Sequence, residues 1–577
     1  MNVKTLKALL LIEIFFVIHN VLLGQTNSEP KRYDIIFSEI MSKPTPQIGL
    51  PAVEYIELHN RLPYPCKLQK WRLTLGNTAK NLPDITIDSG GYVVLIAQKN
   101  EEAFAPYCDH LVTLSSLSIT DGGQALTLYN ANGEVIHYVS FKSSWHSEQI
   151  KKEGGWSLEM IDEDWPCAGP WNWDSTIDPS GGTPGKPNSI RNTMYNNDMP
   201  AISGVTMVDS ATLRVHFTKT LTEDVLDNEE LFRTEPYVNI QKISEMPPNF
   251  ASLDIRFAES LQPNLRYQLH LSGELQDCGG NRYSVQEEIP FGITVPPERN
   301  DLVINEILTN PLDGEAADYL EIYNRSEHII DLKDIKVGYG GDTLPQKAIT
   351  AASKGWQLLP KSYVALCKQR EITLQQYICK DASSRLLECD SLPDFAIGKG
   401  TIHLTDRSLR PIDKFAYSEE MHYPKLLTTK GVSLERLYPD LPTQDESNWR
   451  SAAEDAGFGT PGYQNSQSGS ALATDEFEIV PNVFSPDNDG FEDYAEILCT
   501  FKEEENRTTV IIYNNQGYPV KHLTNNVLCG TMARFRWDGD DDKLQSAPAG
   551  MYVVQIESWN LRSQKTTRKR KVVSIYR

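Results

Sequence analysis

Six acidic residues occupy paired positions along the chain: Glu39 with Glu306, Glu54 with Asp318, and Glu57 with Glu321. Paired carboxylates are the machinery of glycoside hydrolysis, one as acid and the other as base or nucleophile. Glu54 and Glu57 are separated by an odd number of residues, so on one strand they face opposite sides and do not flank a common sugar. Their recurrence also suits a scaffold, because catalytic residues need no second copy. These carboxylates therefore read as structural or capping groups on a solvated face.

A second acidic cluster runs Asp487-Asn488-Asp489-Gly490-Phe491-Glu492-Asp493. Oxygen ligands gather there around a glycine that permits a sharp turn, as in calcium loops. Asp487, Asp489 and Asp493 are the candidate calcium ligands, and calcium is the one cofactor the sequence leaves open. The distant bidentate Glu of an EF-hand is missing, and an ordinary turn is the competing reading. Asp538-Gly539-Asp540-Asp541-Asp542 is a weaker candidate of the same kind.

Lys565 and Arg568-Lys569-Arg570-Lys571 precede Val572-Val573-Ser574-Ile575-Tyr576. Alone, the basic run suggests polyanion binding, for example to an anionic surface polysaccharide. Ahead of β-branched residues it reads as the edge of a last strand, where charge discourages sheet-to-sheet pairing. Trp165, Trp171 and Trp173 cluster beside Pro166 and Pro170. Trp173 has a counterpart in Trp449 and reads as core. Trp165 and Trp171 stay open between packing and sugar stacking. The sequence contains no G-x-S-x-G, H-E-x-x-H or P-loop and nominates no nucleophile with a base, so no catalytic residue is assigned.

Nine cysteines stand at 66, 108, 167, 278, 367, 379, 389, 499 and 529, with no CxxC and no zinc spacing. Cys499 with Cys529, in one small β segment, is the first disulfide candidate. Cys379 with Cys389, around a short polar loop, is the second. An oxidising compartment would permit both.

The elements that must position these groups belong to a chain of 577 residues with 78 acidic and 55 basic side chains, a formal charge of −23 and a pI near 5.0. That balance argues against a nucleic-acid partner along the chain and suits a soluble exported protein. Lys4 and Lys7 precede an apolar run from Ala8 to Leu23, followed by small and polar residues from Gly24. Residues 1–24 thus read as a signal peptide, with no transmembrane segment expected in the mature chain.

The chain repeats itself. Ile36-Phe37-Ser38-Glu39-Ile40 returns as Val303-Ile304-Asn305-Glu306-Ile307, and Glu54-Tyr55-Ile56-Glu57-Leu58 as Asp318-Tyr319-Leu320-Glu321-Ile322. Ser157-Leu158-Glu159 returns as Ser433-Leu434-Glu435, and Gly182-Thr183-Pro184-Gly185 as Gly459-Thr460-Pro461-Gly462. One globular domain therefore occurs twice, at 33–192 and 301–466, a unit too long for a solenoid repeat. Short β-rich runs separated by turns predict sandwiches. Strand-like alternation in Leu213–Phe217, Leu253–Phe257 and Tyr267–Leu271 places another β segment between the copies.

The "INEI … DYLEIYN" and "YVVLIA" patterns with the closing "NW … GTPG" resemble the lamin-tail domain, an immunoglobulin-like sandwich. The segment 199–296, with Asp277, Gly280 and Asn281 before its last strands, resembles bacterial immunoglobulin-like modules of surface-layer type. "PNVFSPDNDG", "RFRWDGDDDK" and "PAGMYVVQIES" in 476–577 resemble the gliding-motility-associated C-terminal domain of Bacteroidota, whose role is a type IX secretion signal. These resemblances imply an all-β chain of four tandem sandwiches; the Ser/Gly/Gln-rich stretch 464–470 reads as flexible, and 467–475 is taken as the linker before the last. They imply a non-enzymatic secreted or cell-surface protein for display, adhesion or ligand binding, with the secretion machinery and an extracellular ligand or surface polysaccharide as partners. The alternative is a carbohydrate-binding accessory or a cryptic secreted hydrolase.

Overall fold

The runs Ile35–Met41 (IIFSEIM) and Tyr92–Ala97 (YVVLIA) lack polar alternation, the signature of strands covered on both faces. In the computed structural model, which describes residues 29–193, 200–312, 318–380, 385–389, 391–468, 475–487 and 489–576, every residue of both runs is buried. The expected signal peptide and residues 469–474 of the expected linker lie outside the described residues. The architecture is all-β with a few short helices, and no described helix is long and apolar enough to cross a membrane.

The chain divides into two compact units. The first runs through Ser203 and adds Thr212–Ala258 and Leu269–Glu288; the second holds Gly204–Ala211, Glu259–Gln268 and everything from Ile289.

In the first unit, a six-stranded sheet has the order Trp173–Ser175, Leu158–Met160, Ile35–Met41, Tyr55–Asn60, Tyr92–Ala97, Leu111–Leu114. A four-stranded sheet, Val135–Lys142, Gly123–Tyr129, Arg72–Leu75, Thr78–Asn81, faces it. Phe37, Leu58, Trp71, Leu128, Phe141 and Trp173 fill the space between. The other face of the larger sheet carries a second apolar layer, with Leu50, Tyr55, Ile96 and Phe104. Buried faces on both sides explain why Ser38, Glu39 and Glu57 need internal hydrogen-bond partners.

The same unit holds a sheet containing Thr212–Phe217, Ser252–Phe257 and Ile240–Glu245, the first two with the inside-outside alternation read from their sequences. Asp277 is buried at a turn, where Oδ1 accepts from the N–H groups of Gly279 and Asn281 and Oδ2 from the Tyr283 hydroxyl. A disulfide joins Cys167 to Cys278, Cα atoms 6.0 Å apart. Trp165 is buried beside it, and a Cβ at Gly279 would meet its ring at 2.5 Å.

In the second unit the six-stranded sheet reappears as Leu386–Glu388, Tyr363–Cys367, Tyr319–Asn324, Leu302–Leu308, Leu434–Arg436, Trp449–Ser451. Trp449 stacks on Phe415 at 3.8 Å and donates its indole N–H to Thr443 O. The last sandwich sets Glu476–Val480, Ala495–Thr500 and Met532–Trp537 against a five-stranded sheet, Val483–Phe484, Thr566–Ile575, Gly550–Asn560, Asn506–Asn514, Pro519–Cys529.

This sandwich is docked rather than tethered. Gln467, expected in a flexible linker, is buried and accepts from Glu505 N (3.1 Å). Thr531 N donates to Ser466 O, and its hydroxyl to Ser468 O. Arg450 lies 3.2 Å from Glu505 and 3.8 Å from Glu504. A Cβ on Gly530 would come within 1.8 Å of Ser466 O, so only glycine allows the approach. Asp455 is sealed there beside Cys529, and burial raises its carboxyl to about 7.

The cysteine expectations are corrected. Cys499 and Cys529 are buried thiols. They come from opposite sheets of the last sandwich, Ala495–Thr500 and Pro519–Cys529, and no bond joins them. Cys379 and Cys389 are not bridged either: they belong to apolar layers on opposite faces of one sheet, and Cys389 Sγ donates to Ala351 O.

The two copies satisfy one orphan donor differently. Phe37 N donates to His137 Nδ1 (2.8 Å), and burial holds that imidazole neutral, its pKa down to about 3. The equivalent Ile304 N donates to Asp413 Oδ2 (2.8 Å), and Asp413 faces the buried Arg436 at 3.6 Å. Arg436 stands where the first copy has Met160. Charge and counter-charge have therefore entered together. Arg436→Met alone should cost about 3–5 kcal/mol by stranding Asp413. Adding Asp413→His should recover more than half of that in denaturant unfolding; a double variant no more stable than the single one would refute the equivalence.

Candidate functional site

In both copies acidic residues converge as glutamates in register across three adjacent strands. Glu39 pairs with Glu57 on one side and Glu159 on the other. Glu306 pairs likewise with Glu321 and Glu435. A bulge, between Phe37 and Glu39 and again between Ile304 and Glu306, turns two neighbouring residues towards the same face. Ser38 Oγ thus reaches Glu57 Oε1 at 2.7 Å, and Asn305 Nδ2 reaches Glu321 Oε1 at 2.7 Å.

All six carboxylates are buried, and none has a cation as its hydrogen-bond partner among the described contacts. Their donors come from the sheet and from a strap, the Gly-Thr-Pro-Gly segment that closes each copy. Tyr55 and Ser157 hydroxyls donate to Glu39 Oε1, both at 2.6 Å, and Thr183 N adds a third donor at 2.8 Å. Gly185 N donates to Glu57 Oε2, and Ser189 Oγ to Glu159 Oε2. In the second copy Tyr319, Ser433 and Thr460 N serve Glu306, Gly462 N serves Glu321, and Ser466 Oγ and Gln467 N serve Glu435.

Thr460 Oγ1 lies 3.0 Å from Glu306 Oε2 and 2.9 Å from Glu435 Oε1. A hydroxyl has one proton to give, so the second short contact needs a proton on a carboxyl. Burial agrees with this: it raises Glu39 to about 7, with the adjacent Glu159 charge adding to the effect, and Glu435 to about 8. Glu57, Glu306 and Glu321 are raised in the same direction by burial. The arrangement is a proton-sharing latch. All six side chains are closed off from solvent.

Glu39, Glu57, Glu306 and Glu321 therefore sit in the rows, buried rather than on a solvated face. Glu54 and Asp318 do not: Glu54 caps Ile119 N at 3.4 Å, and Asp318 faces Lys368 at 3.4 Å. Sequence reasoning missed Glu159 and Glu435. The repeated Ser-Leu-Glu triplets carried the signal, but only strand register reveals that they complete a row.

The remaining candidates lie apart. One carboxylate oxygen each from Asp487, Asp489 and Asp493 lie within 4.8 Å of one another, beside Gly490 at φ +91°. Asp493 Oδ1 is buried without a hydrogen-bond partner. These all-oxygen donors fit calcium in type. Within 538–542, Asp540 instead pairs with Lys521 and Asp542 with His522. Trp173 is core and Trp165 is packed, whereas Trp171 is 71% exposed. A cleft of about 800 Å³ in the first unit is lined by Arg32, Tyr129, Glu134, Glu223, Glu245 and Phe250, among others.

Residues 28–143 match the family model of the Lamin Tail Domain, and residues 478–575 match that of the CHU_C Type IX secretion signal domain. The chain is accordingly a secreted or cell-surface protein of the type IX export route, and neither matched family is catalytic. No curated protein matches it. Among solved structures it is similar to PorZ, an essential surface component of the type IX secretion system of Porphyromonas gingivalis (10% identity, 79% of this chain, 56% of that one, TM-score 0.16). It is also similar to the S-layer protein rSbsC(31-844) (9% identity, 65% and 54%, TM-score 0.15) and to the N-terminal part of the bacterial S-layer protein SbsC (16% identity, 29% and 39%, TM-score 0.15). The chain thus spans between 39% and 56% of those structures' lengths.

The latch sets a pH dependence. The folded chain keeps protons on carboxyls that the unfolded chain releases near 4.5, so stability falls as pH rises through about 7 and 8. Melting followed from pH 7.5 to 8.5, above the titration of unfolded histidine, should show a loss on the order of 1 kcal/mol. Glu39→Gln with Glu435→Gln should flatten that slope; an unchanged slope would refute the shared proton.

Proposed function

We propose that this is a non-enzymatic surface protein whose tandem sandwiches display a binding or adhesive face outside the cell. Its last domain, 476–577, is the part handed to the secretion machinery, after a signal peptide at 1–24 has directed the chain across the inner membrane. The observation that carries the reading is the pairing of a matched secretion domain with acidic rows that are sealed against substrate. The domain order we infer is lamin-tail copy 33–192, immunoglobulin-like module 199–296, lamin-tail copy 301–466 and sorting domain 476–577. Deleting 476–577 should leave the passenger in the periplasm. Because the deletion also uncovers Arg450 and Asp455, the retained passenger should melt lower than the full chain. Surface display of the truncated chain would overturn the sorting role.

A second reading, a carbohydrate-binding accessory, is favoured by the cleft containing Tyr129, Phe250 and Glu134. A glycan array with the mature chain tests it: Tyr129→Ala should abolish a specific signal, and a signal indifferent to that change would place the sugar elsewhere.

Calcium at Asp487, Asp489 and Asp493 is the third element of the proposal. Calcium should raise the melting temperature of the wild type and leave Asp493→Asn unmoved. An equal response in both would dismiss the site.

A further inference from the structure

The last strand of the sorting domain, Thr566–Ile575, is partnered along its whole length by Gly550–Asn560 on one side. On the other, the pairing with Val483–Phe484 is confined among the described residues to the strand's end, Ser574–Tyr576. Ser574 N donates to Asn482 O and Tyr576 N to Phe484 O, so the backbone groups of even-numbered residues point to that side. The register with Gly550–Asn560 runs without a bulge, and strand alternation therefore aims the N–H and C=O groups of Arg568, Arg570 and Val572 at an open edge. Among the described residues no backbone partner meets them there.

The side chains give the edge a sign. Arg568, Lys569, Arg570, Lys571 and Val572 are all exposed. Arg568 is paired with Glu557, and Arg570 leans on the neutral Gln555. Lys569 and Lys571 make no ion pair among the described contacts. The cations continue into a cleft of about 330 Å³ lined by Lys502, Lys565 and Lys569 with the hydroxyls of Ser558, Ser563 and Thr567. Asp475 and Glu503 also line it, and Asp475 is engaged by Thr567 Oγ1 and Lys502 N. A basic edge rejects a second copy of itself, but the same charge selects an acidic strand.

We propose that this edge is a receptor for an extended acidic segment of a partner protein, which adds as a new strand beside Val483–Phe484 and neutralises Lys569, Arg570 and Lys571. Backbone pairing would supply a fixed register and the basic row the selectivity, the division of labour in strand addition. A polysaccharide could answer the charge but not the ladder of unpaired N–H and C=O groups, which favours a peptide. The proposal rests on reading this domain as the part presented to a partner, yet it is measured without export.

The test uses the purified mature chain and an alternating Glu-Val peptide, with an alternating Lys-Val peptide and dextran sulfate as controls. Amide hydrogen exchange is followed at Arg568, Arg570 and Val572. The Glu-Val peptide should slow all three by at least about tenfold. Arg570→Pro removes an N–H that the domain's own ladder does not use, and should abolish binding with little change in melting temperature. Lys569→Glu with Lys571→Glu should weaken binding about tenfold or more. Three results would overturn the proposal: no binding, protection by the Lys-Val peptide as well, or tight binding of dextran sulfate and the acidic peptide alike with no amide protection. Loss of sorting on deletion of 476–577 is scored separately, so failure of the edge and failure of the sorting role are distinguishable.

Discussion

Six carboxylates held inside the protein, with no counter-ion bonded to them among the described contacts, set the terms for both lamin-tail-like copies. Like charges packed in a row would repel strongly where water is excluded. They are tenable because hydroxyl and backbone N–H donors converge on them and because the row retains protons. The donors come from distant parts of the chain: Thr183 N reaches back 144 residues to Glu39, and Thr460 N 154 residues to Glu306. Until the Gly-Thr-Pro-Gly strap closes, the central strands carry polar groups with too few partners. The row therefore ties the end of each copy to its first strand, and makes the completed copy the smallest unit whose buried charge is satisfied.

Duplication preserved this device and let its surroundings diverge. His137 and Met160 are neutral where Asp413 and Arg436 form a buried pair, and both solutions satisfy one backbone N–H at a bulge. Asp174 accepts from Ser147 N and Ser175 N, whereas Arg450 at the matching position reaches Glu504 and Glu505 of the last domain. Ile177, which matches Ala453, is exposed, while Ala453 is buried. The second copy has thus acquired the charge and the small side chains that let another sandwich settle on it.

What the sequence disclosed depended on how local the cause was. Alternation in Leu213–Phe217 and Leu253–Phe257 marked half-buried strands because period two is written residue by residue. Glu39, Glu57 and their counterparts stood out through repetition. Their burial did not, because a carboxylate on a strand is ordinarily solvated, and the strap that covers it lies far along the chain. Glu159 and Glu435 joined the row through register alone. The disulfide between Cys167 and Cys278 spans 111 residues and depends on two segments meeting, whereas Cys499 and Cys529 looked close along the chain and lie in opposed sheets. The stretch after Asn465 read as linker from its Ser, Gly and Gln content, yet Ser466 and Gln467 lend their polar groups to Glu435 and to the docked domain.

The last domain faces two demands that the structure assigns to different strands. An export signal must be held firmly enough that its fold survives transit, and it must still offer something to a partner. The end of Pro519–Cys529 and the turn at Gly530 meet the first demand by closing on Ser466, Glu454 and Asp455, where a side chain larger than hydrogen at position 530 would be excluded. Thr566–Ile575 lies on the sheet's other flank, separated from Pro519–Cys529 by two strands. Its backbone is left open over Arg568–Val572, and four consecutive cations guard it. Were the basic run only a surface patch, it could lie on any strand of the sheet. Its position on the strand with unpaired backbone groups joins charge and hydrogen-bonding capacity in one place. A strand so placed resists self-association and remains competent to pair with a chain of opposite sign.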